Sequence, residues 1–109
     1  MNETRIYVGL NDSLTMKQEH KTEKYVEVLK TVCRSYHVSF SFSVQTGGYV
    51  HEDGRYVQEN SLVLSLIDAP GETVSEIAKD LCAFFHQESV LITEGNIRAY
   101  FVKDSLGSP

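Results

Sequence analysis

Residues Gly47–Leu66 read GGYVHEDGRYVQENSLVLSL. His51-Glu52-Asp53-Gly54-Arg55 is a turn centred on Asp-Gly, the strongest short-range hairpin signal. After it, Tyr56 to Ile67 predicts a return strand in which Leu62, Leu64 and Leu66 face a core. Val63 and Ile67 are apolar too, so the second face of that strand is expected to be partly covered, as in a central strand or a dimer face. Before the turn, Val38, Phe40, Phe42 and Val44 alternate with Ser39, Ser41 and Ser43. This predicts the partner strand, continuing through Gln45 and Thr46 into the glycine pair Gly47 and Gly48.

Outward from this hairpin the signals repeat. Arg5 to Leu10 alternates, with Ile6, Val8 and Leu10 on one face and Arg5, Tyr7 and Gly9 on the other, which predicts a first strand. Thr15 with Gln18 forms a capping-box pattern, and a helix is expected from about Met16 to Tyr36 with an apolar stripe of Tyr25, Val28, Leu29, Val32 and Cys33. Asp68-Ala69-Pro70-Gly71 breaks the central strand. Thr73 and Glu76 offer a second capping box, and Val74, Ile77, Ala78, Leu81 and Phe85 a second helical stripe. Ser89 to Thr93 predicts a strand, Glu94-Gly95-Asn96 a turn or bulge, and Ile97 to Lys103 a closing strand. The tail DSLGSP is expected to fray. The order β-α-β-β-α-β is the ferredoxin-like pattern: an α+β fold with an antiparallel sheet and both helices on one face. The chain reads as a single domain over 1–109, with an ordered core from about 4 to 103. The open face is expected to carry Tyr7, the three serines, Ser65, Arg98 and Tyr100 beside Val63 and Val102. Such a surface invites a ligand or a second subunit, so a homo-oligomer is expected.

Composition narrows the function. At 41% hydrophobic and 23% charged, the chain falls in the soluble globular range. A net charge of -5 argues against a nucleic-acid backbone as partner. No run is long enough to span a membrane, and the charged start MNETR enters a strand pattern directly, which predicts no signal peptide. Cys33 and Cys82 fall on or beside helix stripes and read as buried free thiols, consistent with a cytoplasmic location. No phosphate-cradling loop, zinc motif or dinucleotide fingerprint is present, so no cofactor and no metal is expected.

Three clusters are candidates for chemistry. His51, Glu52 and Asp53 are consecutive, so they do not converge as metal ligands do, and a solvated hairpin tip is the simpler reading. His86, Gln87, Glu88 and Ser89 stand where a helix meets a strand; ending the helix is their simpler role, ligand contact or acid–base work the sharper one. Gly47, Tyr49, Arg55, Glu59 and Ser61 bracket the hairpin. There Arg55 is suited to an anionic group and Tyr49 to a flat ring, against the plainer reading of a twisted hairpin with cross-strand tyrosines.

These residues resemble a family of small bacterial proteins known as a domain of unknown function. Tyr7, Gly9 and Leu10 match its Tyr-x-Gly-Leu; Gly47 and Tyr49 its Gly-x-Trp, with tyrosine for tryptophan; Gly54, Glu59 and Ser61 its Gly and Glu-x-Ser; and Phe85, Gln87, Glu88, Ser89, Val90 and Leu91 its Phe-x-Gln-Glu-Ser-Val-Leu. The resemblance spans about residues 5 to 102. It implies no activity, but it marks Gly47, Tyr49, Glu59, Gln87 and Glu88 as site positions.

The sequence therefore points first to a non-enzymatic binding protein that captures a small polar or nucleotide-like molecule, in the manner of a phage-encoded sponge for an immune signal. Its site would comprise Tyr7, Gly47, Tyr49, Arg55, Glu59, Gln87, Glu88, Arg98 and Tyr100, with Arg55 or Arg98 meeting an anionic group. Two alternatives stand beside it: an acidic inhibitor that binds a host defence protein, as anti-CRISPR proteins do, and a small enzyme using Glu88 or Glu59 with His86.

Overall fold

A computed structural model describes residues 1–105. Six elements follow one another: β1 (Asn2–Gly9), α1 (Thr22–Ser35), β2 (Ser41–Val50), β3 (Tyr56–Ile67), α2 (Gly71–Phe84) and β4 (Leu91–Asn96). The four strands form one antiparallel sheet in the order β2-β3-β1-β4. The expected ferredoxin-like α+β fold is therefore the observed one.

Leu62, Leu64 and Leu66 of β3 and Ile6, Val8 and Leu10 in and just past β1 all point to one face and are fully buried there. Onto that face α1 lays Tyr25, Leu29, Val32 and Cys33, and α2 lays Val74, Ile77, Ala78 and Leu81. The stripes recur at helical spacing, so each helix hides one side and leaves the other wet. Phe85, just past α2, meets Tyr25 edge to face with ring centroids 5.2 Å apart. Tyr36 donates to Asp80 Oδ2 at 2.7 Å and ties the two helix ends together. Both cysteines are free thiols, Cys33 buried and Cys82 half-buried; burial pushes the Cys33 thiol up to about 11.

β3 outruns β1. Its pairing with β1 covers Ser61 to Ile67, whereas its pairing with β2 runs on to Val50 opposite Tyr56. Thr46–Val50 and Tyr56–Asn60 thus form a two-stranded ribbon beyond the body of the sheet. Its tip closes through His51 N–H to the Arg55 carbonyl at 2.7 Å. Gly54 takes φ +89° there, a conformation that a side chain would strain.

Four expectations need correction. The first helix begins at Thr22, not near Met16. Asp12 Oδ1 accepts the N–H groups of Leu14 and Thr15, and Met16 adopts φ 61°, so a tight turn outcompetes the helix. The Thr15–Gln18 capping box is absent: Thr15 bonds Glu19, and Gln18 reaches His20 and Thr22. No side chain caps α2 either, because Pro70, not Thr73, precedes its first turn. The third correction is in the start of β2, which begins at Ser41 and not at Val38, while the glycine pair lies within it as expected; Val38 and Phe40 pack against the core before it.

The fourth correction concerns the chain end. Glu94-Gly95-Asn96 is not a turn but the end of β4, paired with β1 from Asn2 to Thr4. Arg98–Lys103 lie in no strand, and Tyr100, Phe101 and Val102 are 71%, 90% and 86% exposed. Of the tail expected to fray, 106–109 lie outside the described residues. Among the described residues, no helix is long and apolar enough to cross a membrane.

Leu64 sits at the centre of this packing, 0% exposed and paired to both Ile6 and Phe42. Leu64→Ala is expected to cost about 2–5 kcal/mol, read from the shift in urea midpoint at constant m-value.

Candidate functional site

Three segments meet where the ribbon leaves the sheet: the 11–20 loop after β1, the ribbon itself, and the junction between α2 and β4. Between them lies an open cleft of about 490 Å³ lined by Asn11, Asp12, Ser13, Met16, Tyr49, Val50, His51, Glu52, Glu59, Gln87, Glu88 and Ser89.

Each wall is positioned by backbone chemistry. At the end of α2, His86 takes φ 53° and Gln87 N–H donates to the Cys82 carbonyl at 2.9 Å, closing the last turn as a left-handed cap. That cap turns Gln87 towards the loop. Its Nε2 donates to the Asn11 carbonyl at 2.7 Å and to the Phe85 carbonyl at 3.2 Å. Asn11 N–H in turn donates to Glu59 Oε2 at 3.0 Å, and Asn11 Nδ2 to the Gln58 carbonyl at 3.4 Å. Asn60 Nδ2 donates to Gln18 Oε1 at 3.0 Å and stitches the far side of the loop to β3. The loop is also tied to α2, since Ser13 N–H donates to the His86 carbonyl at 2.9 Å and His86 Nδ1 lies 2.9 Å from Asp12 Oδ2.

The cleft is acidic. Asp12, Glu52, Glu59 and Glu88 line it with His51, and among the described residues no Lys or Arg does. The Leu14 N–H holds the Asp12 carboxyl below the usual carboxylate range, helped by Thr15 N–H and His86 against the opposing effect of burial. No group of three or more His, Cys, Asp or Glu side chains among the described residues is arranged to hold a metal ion.

Of the nine residues the sequence nominates, four converge here: Tyr49, Glu59, Gln87 and Glu88. The other five do not. Gly47 pairs with Glu59 across the ribbon but does not itself line the cleft. Tyr7 lies in a hollow of the open face with Glu3, Arg5 and Thr93. Arg55 is bound at the hairpin tip, with Nε 2.7 Å from Asp53 Oδ2. Arg98 stacks over Tyr100 at 5.3 Å in the segment after β4. Neither arginine is placed to meet an anion in the cleft. Asn11, Asp12, Ser13 and Met16 are additions; the Asn-Asp-Ser run signals a loop, but the misplaced helix start conceals how it folds back.

Comparison with protein-family models finds no match, and comparison with curated proteins finds none either. Solved structures do match. A phage SAM lyase in complex with S-methyl-5'-thioadenosine has a TM-score of 0.68 and 29% identity over 86% of this chain and 79% of its own. A phage SAM lyase in its apo state has a TM-score of 0.67 and 30% identity over 86% of this chain and 78% of its own. The chain belongs to the phage SAM lyase family. The periplasmic divalent cation tolerance protein CutA from Archaeoglobus fulgidus, at 12% identity and a TM-score of 0.58 over 91% of this chain and 87% of its own, shares the fold alone. Kinship with a SAM lyase corrects the expectation of a non-enzymatic protein, because a lyase is an enzyme and the likeness covers most of both chains.

The Asp12 turn gives this wall a pH dependence. A carboxyl whose folded value is depressed contributes stability above its unfolded value, here 3.8, and loses that contribution as pH falls through the lower folded one. The urea midpoint is expected to fall as pH drops from 3.8 through the lower folded value. Asp12→Asn is expected to flatten the Asp12 part of that fall, seen by titrating wild type and variant side by side.

Proposed function

We propose that this protein binds S-adenosylmethionine in the acidic cleft and cleaves it to S-methyl-5'-thioadenosine. The observation that carries the reading is the charge of the cleft, four carboxylates without Lys or Arg among the described residues, in a chain 30% identical to a phage SAM lyase. S-Adenosylmethionine bears a sulfonium, an ammonium and one carboxylate, and is a net cation. Near a protein surface one charge pair at ~4 Å is worth about 4 kcal/mol before desolvation, so a cleft of one sign selects its ligand's sign. A phosphate-bearing nucleotide is repelled by the same groups, and capture of a nucleotide-like signal through Arg55 or Arg98 loses its geometric basis.

The bond between the sulfonium sulfur and the γ carbon of the amino-acid chain breaks, and its electron pair stays on sulfur as the neutral thioether. A lyase adds no water. The remaining four-carbon unit therefore closes through its own carboxylate oxygen onto the γ carbon, giving a lactone, or passes a β proton to solvent and forms an alkene. In either route the positive charge on sulfur fades in the transition state. The cleft carboxylates then strengthen substrate binding more than they lower the barrier, and acceleration comes from holding the reacting atoms in line. The neutral product loses its attraction to the cleft and departs. In a phage setting this turnover removes the host's methyl donor, a counter-defence role in place of passive sequestration.

Mass spectrometry of S-adenosylmethionine incubated with the protein is expected to show S-methyl-5'-thioadenosine; no product from a folded sample would sink the reading. Glu88→Gln is expected to lower kcat/KM about tenfold, chiefly through KM, as removal of a binding charge should. Raising ionic strength from about 0.05 to 0.5 M should raise KM for the cation while leaving the affinity for the neutral product nearly constant.

A second copy of the chain is the partner this reading assigns to the segment after β4. Tyr100, Phe101 and Val102 stand exposed in a strand-like sequence, while β2 has a free edge. Such an edge favours strand addition. Sedimentation should show an oligomer that Phe101→Asp weakens; a monomer at all concentrations would refute it.

A further inference from the structure

β1 ends at Gly9, and the Glu59 carboxylate lies flat against it. A Cβ on residue 9 would stand 2.5 Å from Glu59 Oε2, 2.7 Å from Cδ and 2.8 Å from Oε1. Gly9 has no positive φ, so what the position demands is space and not backbone freedom. Two residues later, Asn11 N–H holds Oε2 at 3.0 Å. The Asn11 carbonyl receives Gln87 Nε2 at 2.7 Å. A bare strand end and one residue's backbone thus grip two cleft side chains that are 28 positions apart in the chain. The grip also sets which atoms face outward. Both Nε2 hydrogens of Gln87 are directed to carbonyls, of Asn11 and Phe85, so its Oε1 is left as an acceptor. With Oε2 of Glu59 bonded to Asn11 N–H, Oε1 carries no hydrogen bond among the described residues.

We propose that Gly9 and the Asn11 backbone form a seat that positions Glu59 to meet the substrate cation, making Gly9 a positioning residue that acts through Glu59. The effect on turnover rests on the SAM-cleaving reading above; the seat itself does not. A methyl group on residue 9 occupies the space of the carboxylate and drives it off the strand. A carboxylate moved away from the cation loses its charge pairing, and the loss falls on KM. The fold tolerates the change, because Gly9 is half-exposed and the clashing group is the end of a flexible side chain.

The test is Gly9→Ala, alone and combined with Glu59→Ala, with amide hydrogen exchange and product release measured on each folded variant. Asn11 N–H is expected to exchange about tenfold faster in Gly9→Ala, to the rate seen in Glu59→Ala, because both lose its acceptor. The Leu10 amide, which donates to the Asn60 carbonyl at 2.9 Å, is expected to keep its protection. The kcat/KM for S-adenosylmethionine is expected to fall about tenfold, chiefly through KM, and Gly9→Ala is expected to add nothing in the Glu59→Ala background. Unchanged Asn11 exchange in Gly9→Ala overturns the seat whatever the activity does. So does an equal loss of turnover in both backgrounds, since the effect would then bypass Glu59. A wild-type protein that releases no product overturns the SAM-cleaving reading instead, and the exchange comparison still decides the seat.

Discussion

The register of β3 is the constraint on which the rest of the molecule depends. This strand is paired on both edges, with β1 and with β2. Leu62, Leu64 and Leu66 lock its inner face, each fully buried under the helices. Because side chains alternate, a slip of one residue would send all three leucines to the other face. The same lock places Glu59 at the point where the strand leaves the sheet, diagonal to Gly9 and within reach of Asn11. The cleft is therefore an outcome of core packing: the leucines that hold the sheet together set where the carboxylate emerges.

That coupling explains what could be read from sequence. The leucine alternation and the Asp-Gly turn gave the bounds of β3 and the hairpin, and the helical stripe through Val74, Ile77 and Leu81 gave α2, because each feature is local and strongly periodic. The first helix was misplaced because the polar run after Leu10 contains good helix formers. What ends the run as a loop is side-chain bonding from Asp12 and a left-handed Met16, neither of which leaves a periodic trace. The alternation after Asn96 predicts a strand that the structure does not form, because alternation alone does not supply a neighbour to pair with.

The site was legible by the same division. Tyr49, Glu59, Gln87 and Glu88 stood out as polar or aromatic residues at element ends, and the fold brings them together. The two arginines, expected to meet an anionic group, stand apart from the cleft: Arg55 is engaged by Asp53 and Arg98 by Tyr100. Without them the cleft is lined by four carboxylates and, among the described residues, by no Lys or Arg. Net charge alone, at -5, could not locate that sign.

The ribbon beyond Ser61 has a consequence for how such a protein diversifies. One wall of the cleft, from Tyr49 to Glu52, is carried by a two-stranded ribbon tied to the body of the sheet at its base, by Leu10 N–H on the Asn60 carbonyl and by Glu59 on Gly9 and Asn11. A two-stranded hairpin adds little to global stability. Its length and tip can drift among descendants while the leucines under the helices stay fixed. Selection can reshape what the cleft accepts by editing this overhang, and it need not renegotiate the fold each time.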